Sequence, residues 1–218
     1  GLQNPGVQAF IEKEIPFLRG FDTAIIANAS GNTIEDYEYM VKTLSDADID
    51  GIELNLSCPN VKEGCMSFGS TANGVFEVVS RVKKKAGKPL IVKLTPNVTD
   101  ITEIARAAEA AGADAVSLIN TLLGMAIDAK TRRPILGNVT GGLSGPAVKP
   151  VALRMVWQVS KAVNIPIIGM GGISNGTDAV EFLLAGASAV MMGTAGFVNP
   201  MAWVETIEGL ENYMAENK

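Results

Sequence analysis

Six times along this chain a short apolar run of strand length is followed by a longer run with helical spacing, and this alternation limits the fold more than any single motif does. The strands read as 22–28, 50–55, 89–95, 114–119, 165–170 and 187–192; helices follow near 34–44, 74–86, 100–111, 148–163, 177–185 and 200–216, and a shorter one over 8–18 precedes the first strand. Thr33 and Asp36 form a capping-box pair, after which Ile34, Tyr37, Val41 and Leu44 keep helical spacing. Strands alternating with helices imply an α/β fold with a parallel sheet and right-handed crossovers. With 218 residues and 47% hydrophobic content the chain can bury a sizeable core, and residues 1–218 are expected to form a single domain.

Such a sheet is either open or closed into a barrel. A doubly wound dinucleotide fold places G-x-G-x-x-G after its first strand. The nearest match, Gly169-Met170-Gly171-Gly172-Ile173-Ser174, lacks the third glycine and comes late, at the end of the fifth strand. A (β/α)₈ TIM barrel instead carries polar residues at strand C-termini and a phosphate site in the loops after its last two strands. Asn28, Asn55, Lys93 and Asn120 stand at or near four successive strand ends, and Gly171-Gly172 and Gly193-Thr194 follow the last two strands. Glycines there let backbone N–H groups approach a phosphate. The expectation is a (β/α)₈ barrel of which six βα units lie in this chain, the first two strands being absent.

Composition removes several function classes. The chain has no histidine, which excludes Ser-His-Asp and Cys-His catalysis and every His-ligated zinc site; no metal is expected. Two cysteines, Cys58 and Cys65, make no disulfide framework and suit a reducing compartment. A net charge of −5 argues against nucleic acid, and the basic run Arg81–Lys85 reads as a solvated helix end. No run reaches the length of a membrane span and no segment resembles a signal peptide, so the expected location is the cytoplasm.

The stretch with the most chemistry is Asn55-Leu56-Ser57-Cys58-Pro59-Asn60, directly after the second strand. Pro59 prevents both further pairing and an immediate helix, so a loop starts where the strand ends. Cys58 can serve there as nucleophile, proton acceptor or soft ligand, and Asn55 and Asn60 can bind a planar polar molecule. The plainer alternative is a buried cysteine beside a turn. Lys93 has a surface-lysine rival reading that its strand Ile91-Val92-Lys93-Leu94 disfavours, while Asn120 and Gly171-Gly172 have turn-forming rivals.

Taken together, Asn55-Leu-Ser-Cys-Pro-Asn60, Val92-Lys-Leu-Thr-Pro-Asn97, Asn120-Thr121, Gly141-Gly-Leu-Ser-Gly-Pro146 and Ile168-Gly-Met-Gly-Gly172 resemble the dihydroorotate dehydrogenases, with the motifs in order from Gly1 to near the C-terminus. The resemblance implies an FMN-binding barrel that oxidises (S)-dihydroorotate to orotate in de novo pyrimidine (UMP) biosynthesis. A cysteine at position 58 resembles the soluble class 1 enzymes, and the continuation Val61-Lys62-Glu63-Gly64 through Phe68-Gly69 resembles the NAD-dependent heteromeric 1B type. It further implies a partner subunit carrying FAD and a [2Fe-2S] cluster, and a homodimer of catalytic subunits within a heterotetramer.

Residue by residue, the resemblance makes Cys58 the catalytic base and assigns Asn28, Asn55, Lys93, Ile119, Gly145, Gly171, Gly172, Gly193 and Thr194 to FMN. Gly1, Leu2, Asn55, Asn60, Asn120 and Thr121 would hold the substrate. Cys65 stands where the type usually has glycine. Family members also begin earlier than this chain, with the first two strands and a flavin-contacting lysine in the extra segment. A thiol of ordinary pKa ~8.5 is a usable base at mildly alkaline pH, whereas only a cofactor can accept the hydride. Two rivals remain: a related flavin barrel acting on another pyrimidine, as in dihydropyrimidine dehydrogenase, and an inactive fragment.

Overall fold

The computed structural model describes residues 3–56 and 68–217, which form two compact units. The first opens with α1 (Val7–Ala9), a π turn at Phe10–Glu14 and α2 (Ile15–Leu18), so the helix expected over 8–18 is present but unevenly wound. Next come β1 (Ile26–Ala29), α3 (Ile34–Ser45), β2 (Gly51–Asn55), α4 (Ala72–Lys83), β3 (Leu90–Lys93), α5 (Ile101–Ala110) and β4 (Ala115–Leu118). β1 starts later than expected. Residues 21–23 turn, with Thr23 N donating to Phe21 O at 2.9 Å, and pairing begins only after the Asp50 carboxylate has accepted from Ile25 N at 2.7 Å.

The capping box of α3 is formed: Thr33 Oγ1 accepts from Asp36 N at 3.1 Å, and the Asp36 carboxylate accepts from Thr33 N at 2.9 Å. Backbone N–H groups of Asn32 and Thr33 hold the Asp36 carboxyl below the usual range. α3 buries Ile34, Tyr37, Val41 and Leu44, and α4 buries Val75, Val78, Val79 and Val82. The basic run does end a helix, at the surface as expected, and two of its cations, Arg81 and Lys83, are also paired. Arg81 bonds Glu38 and Glu35 of α3 at 2.9 and 3.2 Å, and Lys83 bonds Asp114 at 2.5 Å.

Strand alternation gives the sheet of this unit two different faces. Ala27, Ala29, Ile52, Leu54, Leu90, Val92 and Val116 alternate onto one face and are buried. Each such aliphatic side chain larger than alanine contributes about 1.5–3 kcal/mol by leaving water, so Leu54→Ala should cost about 2–5 kcal/mol. The other face carries Asn28, Glu53, Asn55, Lys93 and Ser117, in a parallel register that sets Asn28 beside Glu53, Asn55 beside Lys93 and Lys93 beside Ser117.

The second unit begins with an excursion that the strand-helix alternation did not anticipate. β5 (Leu122–Met125), β6 (Ile127–Asp128), β7 (Arg133–Pro134) and β8 (Thr140–Leu143) pair as two antiparallel ribbons, β5 with β8 and β6 with β7. These strands are short and largely exposed, with glycine in β5 and β8, and so lack the apolar period that marks a core strand. α6 (Lys149–Ser160), β9 (Ile167–Met170), α7 (Gly176–Leu184), β10 (Ala189–Met191), α8 (Ala195–Val198) and α9 (Ala202–Glu216) complete it. Among the described residues, six parallel strands stand in the order β1-β2-β3-β4-β9-β10 with helices between them, the arrangement of a partial (β/α)₈ barrel.

Candidate functional site

In the first unit the polar side chains at the strand C-termini converge on Glu53. This carboxylate is only 3% exposed. Asn28 Nδ2 donates to its Oε2 at 2.5 Å, Ser117 Oγ donates to its Oε1 at 2.6 Å, and Lys93 Nζ lies 3.8 Å from Oε2. A buried carboxylate is tolerated when paired and hydrogen-bonded; the donors on β1 and β4 supply the hydrogen bonds and Lys93 of β3 the opposite charge. Asn55 follows Glu53 by two positions on the same face, and Tyr37 Oη of α3 donates to its carbonyl at 2.9 Å, which secures the end of β2. Thus Asn28, Asn55 and Lys93, three of the expected cofactor residues, share one face of three adjacent strands.

In the second unit the expected residues form two groups. Asn120 Oδ1 accepts from Thr121 N at 2.7 Å, and Asn97 ties down the next turn by donating to Thr121 O at 3.1 Å and accepting from Leu123 N at 2.9 Å. Ile119 N donates to Met170 O at 2.8 Å. The second group is a cradle of backbone. Gly171 and Gly172 have φ of 124° and 81°, conformations that favour glycine. A Cβ on Gly171 would fall 2.7 Å from Ala152 Cβ and 3.0 Å from Ile119 Cγ1, and one on Gly172 would fall 2.8 Å from both Gly145 O and Lys149 N. Across the cradle Thr194 Oγ1 donates to Ser144 Oγ at 2.8 Å, and Gly193 has open space around it.

An ion-pair cluster supports this cradle. Lys149, the first residue of α6, bonds Asp178 at 2.6 Å and Glu181 at 2.9 Å, both on α7. Asp178 also accepts from Ser174 N and Oγ at 2.9 and 2.8 Å, in the turn that follows Gly172-Ile173. The Asp178 bond and then the Glu181 bond hold the Lys149 ammonium above its usual value. Burial pushes the Asp178 carboxyl upward, but the bonds from Lys149 and Ser174 outweigh it and hold that carboxyl below its usual range.

Gly1, Leu2, Cys58 and Asn60 of the expected site, and Cys65 as well, lie outside the described residues. The sequence reading passed over Glu53, Ser117, Asn97 and Asp178. Glu53 and Ser117 looked like the polar members of ordinary alternating strands. Only Asn97 had a signal, its place in the Val92–Asn97 motif. Among the described residues no group of three or more His, Cys, Asp or Glu side chains could hold a metal, and no helix is long and apolar enough to cross a membrane.

Polar side chains at strand C-termini, in the first unit, and a glycine cradle after a later strand, in the second, are each features that barrel-class enzymes carry. The family model for dihydroorotate dehydrogenase matches residues 1–214, and the chain belongs to that family of oxidoreductases. Two of its curated relatives are the NAD(+)-type dihydroorotate dehydrogenase B catalytic subunits of Alkaliphilus metalliredigens and Alkaliphilus oremlandii. Each is 65% identical to it, over 99% and 98% of this chain and 72% and 71% of their own lengths. The corresponding subunit of Thermoanaerobacter pseudethanolicus is 58% identical over 100% of this chain and 72% of its own length.

Proposed function

We propose that the chain is the catalytic subunit of an NAD-linked dihydroorotate dehydrogenase of the B type, acting in the cytoplasm to oxidise (S)-dihydroorotate to orotate on the route to UMP. The observation that carries this reading is the set of Asn28, Asn55 and Lys93 on one face of β1, β2 and β3 at their C-terminal ends, in a chain with 65% identity to enzymes of that name.

The residues present fit FMN. The cradle of Gly145, Gly171 and Gly172 admits no Cβ at the last two positions, and such bare backbone suits a phosphate. Gly193 and Thr194 would complete that end, with Ile119 beside Gly171. Asn28, Asn55 and Lys93 would hold the ring end. FMN, when bound, supplies the hydride acceptor that no side chain offers.

The chain's own residues supply the rest. Oxidation of the C–C bond removes one hydrogen as a proton and one as a hydride, and Cys58 takes the proton on its thiolate sulfur. Asn55, Asn60, Asn120 and Thr121, with Gly1 and Leu2, bind the planar substrate through amide and backbone groups. Asn97 keeps Thr121 in place through its bonds to Thr121 O and Leu123 N. Lys93 holds a positive charge where negative charge develops during reduction. A partner subunit with FAD and a [2Fe-2S] cluster would take the electrons on to NAD, with two catalytic subunits paired in a heterotetramer.

Anaerobic mixing of the FMN-loaded protein with dihydroorotate tests this reading: the flavin absorbance should bleach in stoichiometric amount. Bleaching by a dihydropyrimidine but not by dihydroorotate would replace it with the other pyrimidine activity. Absence of any bleaching would remove it.

A further inference from the structure

We propose that Glu53 is a positioning residue that sets the net charge Lys93 presents to the flavin, an inference that rests on Lys93 lying at the flavin ring. A glutamate on a strand's polar face needs no explanation when it reaches water. Glu53 does not; it is 3% exposed, and the same face at its register neighbour on β3 carries Ile91. Buried ionic groups are often replaced by apolar ones of similar volume without loss of stability, so packing alone gives no reason for a carboxylate here.

What the carboxylate does is geometric. Its Oε2 accepts from Asn28 of β1 and faces Lys93 of β3, while its Oε1 accepts from Ser117 of β4. One side chain on β2 therefore meets groups on three other strands, two of them expected cofactor residues, by hydrogen bonds to Asn28 and Ser117 and by charge to Lys93. The 3.8 Å separation from Lys93 is too long for a hydrogen bond. The interaction is therefore Coulombic: the carboxylate offsets part of the ammonium charge without gripping it. A flavin beside Lys93 alone would feel a full positive charge as it gains electrons; beside the Lys93–Glu53 pair it feels much less. Glu53 thereby keeps the bound flavin from becoming too strong an oxidant to pass its electrons on.

The test is the midpoint potential of bound FMN, measured anaerobically by dye equilibration, together with the dissociation constants of oxidised and reduced FMN. Glu53→Gln keeps the side-chain shape and removes the charge. It should raise the potential, so that the ratio of oxidised to reduced dissociation constants rises on the order of tenfold or more. Ser117→Ala removes one hydrogen bond to Glu53 without changing charge and should leave the potential at the parent value. Lys93→Met leaves the carboxylate uncompensated and should lower it, which gives a readout even if Glu53→Gln does not fold. An unchanged potential in Glu53→Gln or in Lys93→Met overturns the proposal, as does a rise in Ser117→Ala equal to that in Glu53→Gln. A parent protein that binds no FMN overturns instead the underlying placement of Lys93 at a flavin.

Discussion

The two units build their polar ends by opposite means. In the first, side chains do it: Asn28, Lys93 and Ser117 converge on one buried carboxylate, and the backbone beneath them is regular strand. In the second, the backbone does it: Gly171 and Gly172 turn with positive φ against Ala152, Gly145 and Lys149, and the charged side chains Lys149 and Asp178 brace the turn. A site made of side chains can be retuned by changing one functional group while the fold persists. One made of backbone tolerates no added atom, and its failures should appear as lost stability together with lost ligand. That contrast orders the expected effects.

The largest is chemical and belongs to the side-chain kind. Cys58→Ser in the flavin-loaded protein should slow flavin reduction by dihydroorotate by roughly 10²- to 10⁴-fold, the usual worth of a general base. Its unfolding midpoint should stay at the parent value, and the rate should recover partly at high pH. Cys65→Gly should leave the rate near the parent. Stopped-flow traces with Cys65→Gly crippled and Cys58→Ser normal would show that the base has been misassigned.

Next comes the backbone kind. Gly172→Ala forces a methyl group to within 2.8 Å of Gly145 O and Lys149 N at a φ of 81°, and should cost about 1–3 kcal/mol in urea unfolding together with FMN retention. Gly193→Ala meets nothing within 4 Å and should cost almost no stability. Equal losses in the two variants would mean that close backbone approach is not what makes the second unit's cradle intolerant of added atoms.

These pairs also show what could be read before the structure. Strand ends and their polar residues were legible, because alternation reports strands and Asn or Lys at a strand terminus is conspicuous. The glycine pairs were legible as places of close approach, but not which atoms they approach: Ala152 and Lys149 come from a helix about twenty residues away in sequence. Glu53 was invisible for a different reason. In a strand the polar half of the alternation normally faces water, and nothing local to Gly51–Asn55 tells that Asn28 and Ser117 arrive over it. The ribbons from β5 to β8 were missed because their residues carry no core-facing period.

A smaller effect separates the cations of the first unit. Lys93→Ala should weaken FMN binding and slow flavin reduction on the order of tenfold, since it deletes a charge where negative charge develops. Lys83→Ala breaks only its surface pair with Asp114 and should do neither. Indistinguishable reduction rates would mean that Lys93 has been misplaced.

The smallest expected effect is a pH dependence in the brace behind the cradle. Asp178 has its pKa held below the ordinary carboxylate value in the folded state, so it contributes stability that is fully present above that ordinary value and is lost as pH falls through the folded one. Lys149 has its pKa held above the ordinary lysine value, so its share is present below that value and is lost as pH rises through the raised one. Between those limits the pair is intact and the parent should show a plateau. Asp178→Asn leaves an acceptor for Ser174 but removes the charge opposite Lys149. In urea unfolding from neutral to acid pH, the gap between parent and variant should be widest on the plateau and should close as the solution falls below the carboxylate range. A gap that stays constant to the acid limit would mean that Asp178 acts by shape and hydrogen bonding alone. In that case the cradle is held by its glycines without electrostatic help, which would make the contrast with the first unit sharper still.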